Sequence, residues 1–305
     1  MTYPEPSFSV NVDVTNPGQF FACCGLLELA HRIWPGVEGW FDTSRSTFAV
    51  SAKNSSTTLD YLKDELSKCD ISGLSEEERQ EREALEAETR QLKRQNTKLP
   101  DDKEARRKEL GTLAREGVIR LGTPFMLLLN WWQTGEHDTA APKTWAGRQE
   151  LHKVARAAQE ALSGVTQSRE LFDHGCVLRT SHEYGKEDSN QKKPVEPFYF
   201  DARRFAHALD TGFSLDVQDA ETLAHPAVEL LALIGLQRFR PAITTDKWTF
   251  QYSVWSIPLS AFTASAVGCG AVPAGHRYKF RLLFRDDQKR YKAFDFATLG
   301  GDKHE

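Results

Sequence analysis

The chain opens with apolar residues at every second position. In SFSVNVDV (7–14), Phe8, Val10, Val12 and Val14 alternate with polar neighbours. That spacing predicts a strand with one buried face. The period then lengthens to that of a helix over 17–34, where Phe20, Cys23, Leu27 and Ala30 share a face, with Cys24 beside it. Asn16 is suited to the N-cap and Pro17 to the first helical position. Trp40-Phe41 and TFAVSA (47–52) read as two short strands. Strand, helix, strand, strand is an α+β beginning.

The pattern changes at 75. SEEERQEREALEAETRQLKRQ (75–95) is almost wholly charged, with Leu85 and Leu92 seven residues apart, and Ser75 with Glu78 forms a capping box. A second charged helix is expected at 102–116, so the pair reads as a helical hairpin inserted into the body. Its early part is acidic, and the stretch from Arg90 to Lys108 is basic. Two readings stay open: a solvated hairpin with salt-bridged faces, or a basic tip that touches nucleic acid or a partner subunit.

Beyond it, VIRLGTPFMLLLNWW (118–132) predicts two strands broken at Gly122-Thr123-Pro124. An amphipathic helix with Trp145, Leu151, Val154, Ala158 and Leu162 is expected at 144–163. Residues 181–197 read as a polar loop, of a kind that often carries binding function, and 198–216 as a return to aromatic-rich order. A helix follows at 225–241, with Pro226 in its first turn and Pro241 past its end. WTFQYSVW (248–255) reads as a strand and 258–268 as a short helix. HRYKFRLLF (276–284) and KRYKAFDF (289–296) read as a hairpin, with Asp286 and Asp287 in its turn. The whole is an α+β fold, mixed sheets packed with helices plus the hairpin insertion, divided into an N-terminal region 1–220 and a C-terminal region 221–305. The helices at Asn16-Pro17 and His225-Pro226 echo each other, since each runs to a Gly-Leu pair, Gly25-Leu26 and Gly235-Leu236.

The 305 residues are enough to bury a sizeable core, and 40% hydrophobic with 27% charged residues fit a soluble globular protein. A net charge of -4 means that any nucleic-acid contact must come from a local basic surface. No 18-residue apolar run predicts a membrane helix, and the N-terminus lacks a signal-peptide layout. Five cysteines, odd in number and mostly in apolar settings, fit a reducing cytoplasm.

Candidate chemistry is sparse. Cys23 and Cys24 diverge by about a hundred degrees around the helix, so they cannot easily share one zinc, and they read as buried packing. Gly25 costs that helix roughly 1 kcal/mol relative to alanine, which points to a close crossing by another element. The free N–H groups near Gly18 and Gln19 make either a capped helix start or a phosphate site. His137-Asp138 is adjacent, but nothing marks the further ligands that a metal hydrolase needs. Basic residues beside aromatics give a stronger signal. They occur at Arg203-Arg204-Phe205, Arg238-Phe239-Arg240, Lys247-Trp248, Arg277-Tyr278-Lys279 and Lys289-Arg290-Tyr291-Lys292. Cations neutralise phosphates while rings stack on unpaired bases. The plain alternative is a strand with aromatics inward and cations outward.

In combination, NPGQFFACCGLLELAHRIWPG, PFMLLLNWW, FDARRFAHALDTGFSLD and PAVELLALIGLQRFRP resemble CRISPR-associated proteins of subtype I-U, also called I-G. The likeness is to the small subunit encoded in some of those operons, and it spans most of the chain. The resemblance implies a non-catalytic, cytoplasmic component of a type I surveillance (Cascade) complex in antiviral defence, standing where the large subunit stands elsewhere. It implies as partners guide RNA, target DNA and other CRISPR-complex subunits, with flanking-motif recognition among its roles, no membrane and no cofactor. It supplies no functional residues, so the nucleic-acid candidates come from the residues alone. They are Gly18 and Gln19; Arg94, Lys98, Arg106 and Arg107 on the hairpin; Lys192, Lys193, Arg203 and Arg204; Arg238, Arg240 and Lys247; and Arg277, Lys279, Lys289 and Arg290. Asn130, Trp131, Trp132, Gln133 and Gln251 are candidates for packing or base contact. The alternatives are a structural subunit that contacts protein alone and a metal-dependent nuclease.

Overall fold

The computed structural model describes residues 3–53, 57–116, 118–129, 150–165, 170–180, 193–203, 221–246, 248–284 and 293–300. The chain begins with β1 (Phe8–Asn11), α1 (Pro17–Ile33), β2 (Glu38–Asp42), β3 (Thr47–Ser51) and α2 (Leu59–Lys68). Next come β4 (Ile71–Ser72), α3 (Glu76–Arg94), α4 (Asp101–Glu116), β5 (Ile119–Leu121), β6 (Leu127–Leu129) and α5 (Leu151–Ala161). Short strands follow: β7 (Cys176–Val177), β8 (Arg179–Thr180), β9 (Lys193–Pro194) and β10 (Leu223–Ala224). The C-terminal part holds α6 (Pro226–Arg238), β11 (Ala242–Ile243), β12 (Thr249–Val254), β13 (Leu259–Ser260) and α7 (Ala261–Gly268). It closes with β14 (His276–Leu283), β15 (Ala293–Phe294) and β16 (Thr298–Leu299). This is the expected α+β fold, with α2 as an unexpected helix.

Two helices lie at its centre. α1 is buried on every side from Pro17 to Ala30, and α6 likewise from Pro226 to Leu236. A helix apolar all round belongs in a core. They run side by side in the same direction: Asn16 and His225, at their N-termini, both bond Asp201, and Glu28 of α1 pairs with Arg238 at the end of α6. Between these anchors the backbones touch at two glycines. A Cβ on Gly25 would strike the Leu231 carbonyl, and one on Gly235 would strike the Phe21 carbonyl. The close crossing expected at Gly25 is therefore made by α6, and the two echoing helices are each other's partners.

Two antiparallel sheets pack against α1, through Phe20 and Phe21, and α5 packs against α6. One has the order β1-β3-β2-β13. The other has β11, β12 and β14 side by side, with β15 and β16 both on β14. Trp255 joins them: its indole N–H donates to the Gly39 carbonyl at 2.8 Å, and its own carbonyl accepts from the Phe41 N–H at 3.0 Å. Residues on both sides of position 220 thus share one core, from Val10 and Phe20 to Phe250 and Phe280.

The charged hairpin is α3 and α4. Both bonds of the predicted capping box are present at Ser75 and Glu78. It is inserted between neighbouring strands, since β4 pairs with β5 on either side of it. Arg106 bridges to Glu81 and Lys103 to Glu88 across the two helices. Its base is docked, because Arg82 donates to the buried Glu150 carboxylate at the start of α5, at 2.6 Å.

Candidate nucleic-acid interface

β14 sorts its side chains by alternation. Phe280 and Leu282 are buried and Tyr278 is half-buried, whereas Arg277, Lys279 and Arg281 are exposed. The inward rings join the core: Tyr278 stacks on Tyr252 at 5.7 Å, and Tyr252 on Phe20 at 4.2 Å. The outward cations form a row about 7 Å apart along the strand. Lys279 faces Gln251, and Arg281 faces Thr249, on the adjacent β12. Lys279 also faces Thr298 on the other side. Among the described residues the row's only ion pair is Arg281 with Asp246, at 4.0 Å and with both partners exposed. Such a surface can neutralise phosphates, but it presents no ring of β14 for a base to stack on. Of the two readings of Arg277-Tyr278-Lys279, the plain alternation is the one observed. Arg281 went unnoticed in the sequence, although the same alternation marks it.

Among the described residues, most of the other candidates are engaged within the protein. Gly18 and Gln19 are buried and cannot meet a phosphate. The Asn16 side chain caps the Gly18 N–H at 3.0 Å, Gln19 accepts from the Asp13 N–H at 2.7 Å, and residues 200–201 lie against Gly18. Arg203 is committed to Asp201, Asp173 and the Phe172 carbonyl. Arg238 binds Glu28 and lies over the Phe262 ring at 4.5 Å. Arg106 and Arg107 pair with Glu81 and Glu104. Arg94 and Lys98 are exposed at the hairpin tip, and Arg240 is exposed just past α6. Lys193 lies in β9 opposite Thr180. Gln251 is on the open sheet face, half-buried. Lys192, Arg204, Lys247, Lys289 and Arg290 lie outside the described residues, as do Asn130, Trp131, Trp132, Gln133, His137, Asp138, Trp145, Asp286 and Asp287.

The start of α1, for which the sequence leaves open a capped helix start and a phosphate site, is capped by Asn16, and together with the start of α6 it faces the chain's own carboxylate, Asp201. Asp201 accepts from the Asn16 side-chain amide at 2.7 Å, lies 3.0 Å from His225 Nδ1, and is clasped by the Arg203 guanidinium. Each helix start adds about half a positive charge. Burial opposes ionisation, but the hydrogen bonds and charges of His225 and Arg203 outweigh it and hold Asp201 far below the usual carboxylate range. Glu229, one turn into α6, is the reverse case. Burial first, and then the charge of Asp201, push its carboxyl up to about 8, against the backbone N–H groups that it accepts. At the opposite end of the pair, Glu28 is buried yet ionised. Burial again opposes the charge, but Arg238 and Arg32 outweigh it and lower the pKa.

Cys23 and Cys24 are fully buried free thiols, and burial pushes both well above the ordinary value. They pack and do not react. Among the described residues no group of three or more His, Cys, Asp or Glu is placed to hold a metal ion, and no helix is long and apolar enough to cross a membrane. No family model, curated protein or solved structure matches the chain.

Proposed function

We propose that the chain is a non-catalytic nucleic-acid-binding subunit of a type I CRISPR surveillance complex, and that the open face of its C-terminal sheet contacts the phosphate backbone. One observation carries the reading: Arg277, Lys279 and Arg281 project at every second position from one strand, with a single weak ion pair among the described residues. The rest of the chain is net acidic, so this row stands out against its surroundings. The assignment to a surveillance complex rests on the resemblance of the four sequence stretches quoted above. Rings turned inward and cations turned outward favour backbone contact over base reading.

The test is duplex binding by fluorescence anisotropy over a salt series, with the wild-type chain and with Lys279→Ala and Arg277→Ala. Each variant should weaken binding uniformly across sequences and lower the slope of log affinity against log salt by about 1. Unchanged affinity and slope in the double variant would overturn the assignment of this face.

A second reading, contact with protein subunits, has its own observation. Met126 and Phe262 are 70% and 60% exposed. They are linked through the ends of α1 and α6: Arg32 donates to the Met126 carbonyl and to Glu28, Glu28 binds Arg238, and Arg238 covers Phe262. Exposed large apolar side chains of this kind are candidate points of contact with another subunit, and the two surfaces are compatible.

A further inference from the structure

The edge of the basic face carries one residue too many. The Asp295 N–H donates to the Arg281 carbonyl at 3.0 Å, and Thr298 pairs with Lys279. Between these two pairings the edge advances three residues while β14 advances two. The extra residue is a β-bulge, which sets Phe296 and Ala297 opposite Phe280, between the two cations. There the two residues part. Ala297 is buried, and its N–H leaves the ladder for the Thr15 carbonyl at 2.7 Å. Phe296 is 45% exposed.

Phe296 also stands outside the aromatic core beneath it. Phe280 lies 4.8 Å from Phe294 and 5.7 Å from Phe250, and Phe294 reaches the rings of Phe200 and Phe21. Among the described residues no ring packs on Phe296. Its N–H donates to the Asp295 carboxylate at 2.9 Å, which ties the bulge locally. Adjacent strands are about 5 Å apart, so the residue sits one strand away from the row of Arg277, Lys279 and Arg281. The acidic groups at that row are Asp295 and Asp246, the latter 4.0 Å from Arg281. Leu299, opposite Tyr278, is exposed along the same edge.

We infer that Phe296 is a stacking platform for an unpaired base, and that the basic face takes a single strand of nucleic acid in preference to a duplex. Arg277, Lys279 and Arg281 neutralise phosphates while the Phe296 ring covers the face of a base beside them. The inference rests on the reading of this face as a phosphate-contacting surface, and adds the class of nucleic acid. Cations alone serve duplex and single strand alike. The ring decides between them, because paired bases are stacked on one another and only an unpaired base offers a free face. Such stacking tolerates any base, in keeping with a face whose other contacts are to backbone.

The test is fluorescence anisotropy with the full chain at fixed salt on three labelled probes: an oligothymidine of about 12 nucleotides, an abasic strand of the same length, and a duplex of that length. The wild type should bind the oligothymidine tightest. Phe296→Ala should weaken that binding by about fivefold or more and leave the abasic strand and the duplex unchanged. Phe296→Tyr keeps a ring and should keep the affinity, whereas Phe296→Leu keeps apolar bulk alone and should lose it. Lys279→Ala should weaken all three probes. An effect of Phe296→Ala that is absent, or equal on the abasic strand, overturns the stacking platform, and so does a duplex bound more tightly than the oligothymidine. In those cases a loss in Lys279→Ala still upholds the basic face. If Lys279→Ala and Arg277→Ala together change nothing, or no probe binds, the reading of the face fails and the inference fails with it.

Discussion

At the scale of single residues, the contact between the two central helices depends on a missing methyl group. A Cβ on Gly25 collides with the Leu231 carbonyl of α6, and Gly235 of α6 sits as tightly against the Phe21 carbonyl of α1, so the two backbones cannot admit the methyl group without moving apart. Gly25→Ala should therefore cost about 2–3 kcal/mol, read as a lower urea midpoint. Gly111 in α4 is the control, because a Cβ there meets nothing closer than the Arg115 guanidinium at 3.9 Å. Gly111→Ala should stabilise by about 1 kcal/mol. Equal effects at the two sites would refute the helix contact. The glycine in α1 was legible in the sequence because a helix interior penalises glycine, so its presence needs a reason. Asp201 and Glu229 were not. Nothing within FYFDARR or PAVELL marks a buried carboxylate, and their meaning depends on two helix starts 209 positions apart, at Asn16 and His225, meeting in space.

At the scale of elements, local rules were legible and long-range ones were not. The capping box of α3, the strand break before Pro124 and the alternation of β14 are all decided within a few residues. α2 escaped notice because only Leu59, Leu62 and Leu66 carry its apolar stripe, within ten residues. The charged hairpin shows the same divide. Its surface ion pairs within one helix, such as Arg107 with Glu104, are predictable from their spacing, but neither the exposed Arg106–Glu81 bridge between the helices nor the pair that docks the hairpin is, because Arg82 and Glu150 are 68 residues apart. The two kinds of pair should differ in consequence. Arg106→Ala removes an exposed bridge to Glu81, and the denaturation midpoint should not move measurably. Glu150→Ala removes the 2.6 Å carboxylate partner of a largely buried Arg82, which keeps its pair with Glu86 at 2.9 Å. That change should cost roughly 2–3 kcal/mol, read in the same denaturant titration. If the two variants proved equally mild, the hairpin would be an appendage and not a docked element.

At the scale of the whole molecule, the question is whether the division at 220, drawn from the sequence, corresponds to anything that folds. The parallel pair of α1 and α6 argues against separable parts. α1 is buried on every side, and one of those sides is α6, contributed from beyond position 220. A fragment 1–220 would expose the Gly25 face, leave Glu28 with Arg32 alone of its two arginines, and strip Asp201 of His225. A fragment 221–305 would keep the outward cations of β14 but lose Phe20 and Phe21, on which the inward rings of β12 and β14 rest. Apolar area on this scale is the main favourable term in folding, so half a core does not hold. The full chain should unfold in one transition that coincides by circular dichroism and by tryptophan fluorescence. Each fragment alone should lack that transition, and mixing the two should restore it only if α6 docks again on α1. Two separate transitions, or a fragment that folds alone, would mean that the helix pair is an interface between domains. The basic face could then be studied, and could have arisen, apart from the rest of the chain.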